Sequence, residues 1–257
     1  MGEVVTYEVV DGVAVVTIDR PEVRNALSRD VFTQLPERAA QAAADDAVGA
    51  VLLRGADGNF SSGLDVTMMG ELAAEVDHDF IRGLQDAFTA YEELDKPTVA
   101  LVEGYCLGGG IQLAAACHVR LVAPTARFSV LERRWGLVPD LGGTRRLPRL
   151  VGQGRATELV LTAREVDADE ALAIGLAEVA VAADDAYGEA LAWTARLAAG
   201  PGAVRRSPRL VRENWTRSRE DAEHAEREAQ LACIAGPDTT EAVVAFMEKR
   251  DPRFVGR

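Results

Sequence analysis

The chain opens on alternation. Residues 4–10 and 13–18 carry apolar side chains in a strand-like rhythm, and Asp11-Gly12 between them is a two-residue hairpin signal. The period then changes. Val31, Leu35 and Ala39 recur at helical spacing behind Ser28, whose hydroxyl suits a helix N-cap, so the pattern predicts a helix to about residue 44. Residues 50–53 form a short β run, and 55–65 a loop rich in Gly, Ser and Asp. A helix is predicted over about 71–94, stopping before Lys96-Pro97. A buried strand at 98–102 follows, then the glycine loop 104–110 and a helix through 116. Residues 119–123 and 127–129 read as further short strands. Beyond Val130 short helices fit near 143–151, 154–161, 169–174 and 184–199, with one strand near 177–181. After Gly200-Pro201 only helical patterns remain, at about 204–215, 219–234 and 239–248. Alternating β and α followed by helices alone predicts an α/β core over 1–199 with a helical C-terminal region over 200–257.

Composition narrows the function classes. The 257 residues are 48% hydrophobic and 27% charged, which excludes wholesale disorder. A net charge of −13 argues against a dedicated nucleic-acid partner. Of the basic residues only Lys96 and Lys249 are lysines; the arginine excess reads mainly as compositional bias. Cys106, Cys117 and Cys233 are too few and scattered for a disulfide framework or a CxxC metal site, which suggests a reducing compartment. The first 20 residues lack a signal-peptide plan and no apolar run is long enough for a bilayer. The expectation is a soluble, cytoplasmic protein with no membrane partner.

The motif search removes several chemistries. His78, His118 and His224 form no HExxH and sit near no cysteine pair, so no metal is expected. There is no GxSxG elbow. Gly104 and Gly109 are spaced as in a P-loop, but Gly110-Ile111 stands where Lys-Ser/Thr is required, and Gly152-Gln-Gly154 lacks the third glycine of a dinucleotide fingerprint.

Three features survive. Ser61-Ser62-Gly63-Leu64-Asp65 and Leu107-Gly108-Gly109-Gly110 are loops in which glycine follows a β run, so backbone N–H groups lie open to a close-approaching ligand. Two such groups aimed at one point make an oxyanion hole. The alternative is a glycine cluster that packs helix on sheet. The third feature is Glu132 with Asp140, the only two acids between Arg127 and Arg155 against seven arginines. Set among Leu131, Trp135, Leu137, Val138 and Pro139, they are candidates for desolvated acid/base carboxyls. The alternative pairs each with a nearby arginine.

Together these motifs resemble one family. Asn59 to Asp65, Lys96-Pro97-Thr98-Val99-Ala100 through Gly104-Tyr-Cys-Leu-Gly-Gly-Gly110, and Phe128 to Glu132 through Gly136 to Asp140-Leu-Gly-Gly-Thr are similar to the ordered motifs of the crotonase (enoyl-CoA hydratase/isomerase) superfamily. The resemblance runs from Asp19-Arg-Pro-Glu to Phe246-Met-Glu-Lys-Arg-Asp. It implies a spiral of ββα units and a helical C-terminal region that assembles trimers, often paired as hexamers. It implies an acyl-CoA thioester as substrate, with no further cofactor. The thioester carbonyl would be held by the amides of Ser62 and Gly109, with Gly63, Leu64, Asp65 and Gly108 around it. Arg24, Ala26 and Lys249, the last beside Arg250, match coenzyme A contacts.

Two positions depart from the family's pattern. The hydratases use two glutamates, and the first position here holds Gln112, which cannot accept and return a proton. Asp140 matches a catalytic aspartate of the dienoyl-CoA isomerases. His118 stands where an aspartate is common and reads as local packing. The favoured expectation is double-bond isomerisation by Glu132 and Asp140. The alternatives are hydration by Glu132 with Gln112 in support, or an acyl-CoA-binding protein without chemistry. Residues 71–86, which in this family help shape the acyl pocket, show no pattern that names a substrate. Arginine-rich 127–155 and 201–212 are expected to attract phosphate if they face the site.

Overall fold

The hairpin forms and starts the sheet. In the computed structural model, which describes residues 2–68, 70 and 76–256, β1 (Val5–Val10) and β2 (Val13–Ile18) pair antiparallel. Asp11 and Gly12 take φ of 50° and 76°, the left-handed pair that suits a tight hairpin. Helix α1 (Arg29–Ala44) then returns the chain to β3 (Ala50–Gly55), parallel to β2. Ser28 caps α1 as expected, its Oγ accepting the Val31 N–H. Lys96 closes the other end: its Nζ donates to Ala42 O (2.6 Å) and Asp45 O (2.7 Å), placing a cation on carbonyls that lack helical partners.

Helix α2 (His78–Glu92) is shorter than predicted. Asp77 ends the approach to it by accepting the Phe80 N–H at 2.8 Å, and residues 71–75 of the predicted helix lie outside the described residues. Beyond it come β4 (Thr98–Val102), β5 (Tyr105–Leu107) and α3 (Gly109–Ala114), the last ending two residues before the predicted stop. With β6 (Val119–Val122), β7 (Arg127–Ser129), β8 (Val166–Asp167) and β9 (Val179–Ala180), the strands make two sheets, ordered β1-β2-β3-β4-β6-β9 and β5-β7-β8. From β2 onward the larger sheet is parallel. Its strands are apolar on both faces because both faces are covered. Val13, Val15, Leu52, Val99, Leu101 and Leu121 pack with helix 186–198, and Ala14, Val16, Ile18, Leu53 and Val102 join the core built with α1, α2 and α3.

The remaining helices are α4 (Gly143–Val151), α5 (Gln153–Thr162), α6 (Ala168–Ile174), α7 (Ala186–Ala198), α8 (Gly202–Asn214), α9 (Arg219–Ala235) and α10 (Pro237–Glu248). Each lies within two residues of its expected bounds, and β9 is shorter than expected. α9 buries no residue. Strands β5 and β8 are unpredicted, because three and two residues are too few to display a period. Among the described residues no helix is long and apolar enough to cross a membrane.

Candidate active site

The two glycine loops, both candidate acids and Gln112 line one cavity of about 520 Å³. The first loop is threaded between two neighbours. Ser61 bonds along β5, its N–H to Tyr105 O (2.8 Å) and its O from Leu107 N–H (3.0 Å). On the other side Leu27 N–H donates to Gly63 O (2.8 Å) and Asp65 N–H to Leu27 O (3.0 Å).

This threading decides which amides stay free. Ser62 N–H donates to Arg24 O at 2.9 Å, so it is not the open donor that the resemblance implied. Gly63 N–H donates to Ser61 Oγ at 3.2 Å. In the second loop Gly108 N–H donates to Ser129 O at 2.9 Å. Among the described residues, the N–H groups of Leu64 and Gly109 meet no acceptor. They are neighbours: a Cβ added to Gly109 would lie 3.8 Å from Leu64 N, and one added to Gly63 would lie 3.5 Å from Gly109 N. Gly63, at φ +96°, lets the loops approach, since its Cβ would stand 2.7 Å from Leu107 O.

Glu132 sits in a 3-10 turn, Leu131–Trp135, and is 8% exposed. Gln112 Nε2 donates to its Oε1 at 2.6 Å, while its Oε2 is buried with no hydrogen-bond partner. Gln112 has no freedom to turn, because its Oε1 accepts the Gly143 N–H at 2.9 Å. Burial pushes the Glu132 carboxyl above its ordinary 4.5, and the charge of Asp140 adds to the push against hydrogen bonds from its own backbone and Gln112. Burial also raises Asp140, which is half-buried. Among the described residues neither acid has an ion-pair partner, so the arginine-paired alternative is not realised.

The other candidates divide. Ala26 lines the cavity, and exposed Arg24 stands near it with its guanidinium 5.0 Å from the Tyr105 ring centre. Asp65 lines the cavity too but is held by Arg20 Nη1 at 2.8 Å and by Thr67. Burial would raise its carboxyl, yet those contacts bring it below the usual range, so it locks the loop and leaves proton transfer to others. Lys249 ends α10 and does not line the cavity; Arg250 pairs with Glu241 and Glu248. His118 is packing, as expected: Nδ1 accepts the Thr98 N–H (3.0 Å), Nε2 lies 3.2 Å from Glu92 O, and burial pushes its pKa down to about 4.

The arginine segments do not face the site as expected. Within 127–155 only Arg134 lines the cavity, while Arg145 and Arg146 pair with Glu92. From 201–212, Arg205, Arg206 and Arg209 line a separate cleft, and Arg212 donates to Glu92 O. Sequence reasoning also missed Leu64 as the free amide. Its freedom depends on Arg24 and Leu27, 36–38 residues away in sequence, taking groups on either side of it, which no local signal displays.

A family model for enoyl-CoA hydratase/isomerase matches residues 8–257. The chain is 35% identical to the crotonyl-CoA hydratase of Syntrophomonas wolfei over 99% of both chains. It is 36% identical to the short-chain-enoyl-CoA hydratase of Clostridium acetobutylicum over 93% of this chain and 92% of that protein. An enoyl-CoA hydratase structure from Mycobacterium tuberculosis shares the α/β fold with a TM-score of 0.90 at 30% identity, over 100% of both chains.

Proposed function

The chain belongs to the enoyl-CoA hydratase/isomerase family, and from that premise we propose that it moves a double bond along an unsaturated acyl-CoA without adding water. The thioester oxygen accepts the N–H groups of Leu64 and Gly109. The free Oε2 of Glu132 takes a proton from the carbon beside the thioester of a 3-enoyl-CoA. The released electron pair delocalises onto the thioester oxygen, where the two donors stabilise the enolate. Protonated Asp140 returns a proton at the γ carbon, the double bond moves to the 2,3 position, and no atom is gained or lost. Exchange with water at the cavity mouth resets the two carboxyls.

One observation carries this reading: both ends of the Gln112 amide are occupied, by Glu132 and by Gly143 N–H. Hydration needs two groups to hold and deprotonate a water. An amide cannot take the water's proton, and this one is fixed between Glu132 and Gly143, whereas proton return needs only Asp140. Incubation with trans-2-, trans-3- and 2,4-dienoyl-CoA in D2O tests it. The expected result is double-bond shift with deuterium entering the product; fast hydration without isomerisation overturns it.

A second reading stands on the two relatives described above, which are named as hydratases. Glu132 would then activate water with Gln112 in support, and Gln112→Glu should raise hydration sharply. No gain in that variant counts against it. We also keep as a proposal the trimeric or hexameric assembly through the C-terminal helices.

A further inference from the structure

Asp140 is tied to the molecule from a side that does not touch the cavity. Gln85, Thr89 and Glu92 recur along α2 at the spacing that places side chains on one face of a helix. Gln85 Nε2 donates to Asp140 O at 2.6 Å. The next carbonyl is reached through Arg146: its Nη1 donates to Leu141 O (2.8 Å), its Nε to Glu92 Oε2 (2.8 Å) and its Nη2 to Thr89 Oγ1 (3.1 Å). Two consecutive carbonyls of the acid-bearing loop are thus held by one helix. At Gly142 (φ +87°) the guanidinium lies against the backbone, where a Cβ would stand 2.9 Å from Arg146 Cζ. From the opposite side Gly143 N–H is held by Gln112. Arg146 is 5% exposed and Glu92 8%, so solvent does not loosen the pair.

We infer that Gln85, seconded by Thr89 and Glu92 through Arg146, is a positioning residue that sets Asp140 against the γ carbon. This rests on the reading of Asp140 as the returning acid. Gln85 does not line the cavity, so its loss leaves thioester binding alone and lets the Asp140 backbone drift. A misplacement of about 1 Å in a catalytic group costs up to roughly a hundredfold in rate.

The test separates two events that use different acids. Exchange of the α hydrogen with D2O needs Glu132 and the two amides, whereas double-bond shift also needs Asp140. In Gln85→Ala the shift-to-exchange ratio is expected to fall about tenfold to a hundredfold, with KM for the thioester within about twofold and exchange retained. Thr89→Val, which removes only an acceptor of Arg146, should move the ratio the same way by a smaller factor. A merely structural role would lower both events in proportion and would overturn the inference. So would an unchanged ratio in both variants while the wild type isomerises. A wild type that exchanges or hydrates but never shifts the bond overturns the reading of Asp140, and the inference with it.

Discussion

Glu132 is expensive to bury. One carboxylate oxygen has no donor, and an unsatisfied buried polar group costs on the order of 1–3 kcal/mol. Glu132→Gln removes the buried charge that desolvation penalises and should therefore stabilise the fold at pH 8 while lowering turnover by about 10²–10⁴. The sign with pH follows from the raised carboxyl. The folded state holds the proton more tightly than the unfolded one, so wild-type stability falls as pH rises through 4.5 toward the folded value. Below that window both states are protonated and the variant loses its advantage; thermal unfolding at pH 8 and pH 4 reads the difference. The same shift places the acid limb of kcat/KM above the usual carboxylate range, and a limb at 4.5 would contradict it. His118 acts oppositely: held near 4 against an ordinary 6.5, it makes the protein lose stability as pH falls between those values. His118→Gln should flatten that part of the stability profile. At this scale the acids were legible, because two carboxyls set among apolar residues have few uses. The free amide was not, since Ser62 and Leu64 look alike until Arg24 O takes one of them.

Among the elements, the glycine loops make the sharpest prediction. A Cβ at Gly109 would lie 3.0 Å from Leu27 Cδ1 and 3.8 Å from Leu64 N, beside the two donors, and Gly109 does not need a positive φ. Gly109→Ala should lower kcat/KM by about 10²–10³ with little loss of melting temperature. Gly63→Ala should instead destabilise, because its φ of +96° and the 2.7 Å approach to Leu107 O leave a side chain no room. Thermal melts and steady-state kinetics on the two variants separate donor blocking from loop collapse. The long helices and the main strands were readable from period and caps, such as Ser28 on α1. Strands β5 and β8, and the tie from α2 to the Asp140 loop, were not. The first two are too short to have a rhythm, and the tie joins residues 53–57 positions apart.

For the whole molecule, the charge of −13 says little about the site, since most arginines of the two basic segments bond within the protein. The C-terminal helices matter more. Phe246 and Met247 on α10 are 84% and 77% exposed, and Leu231 and Ile234 on α9 are also open to solvent. If those faces meet other copies of the chain, light scattering should give a trimer or hexamer mass that Phe246→Asp with Met247→Asp reduces; a monomeric wild type contradicts the assembly. The end of α1 has a practical consequence as well. Lys96 is buried with its ammonium bonded to two carbonyls, so Lys249 is the one side-chain amine of this chain open to solvent. An amine-directed dye on the single chain would attach there, off the cavity and next to Phe246 and Met247, so labelling should fall wherever those residues meet another copy.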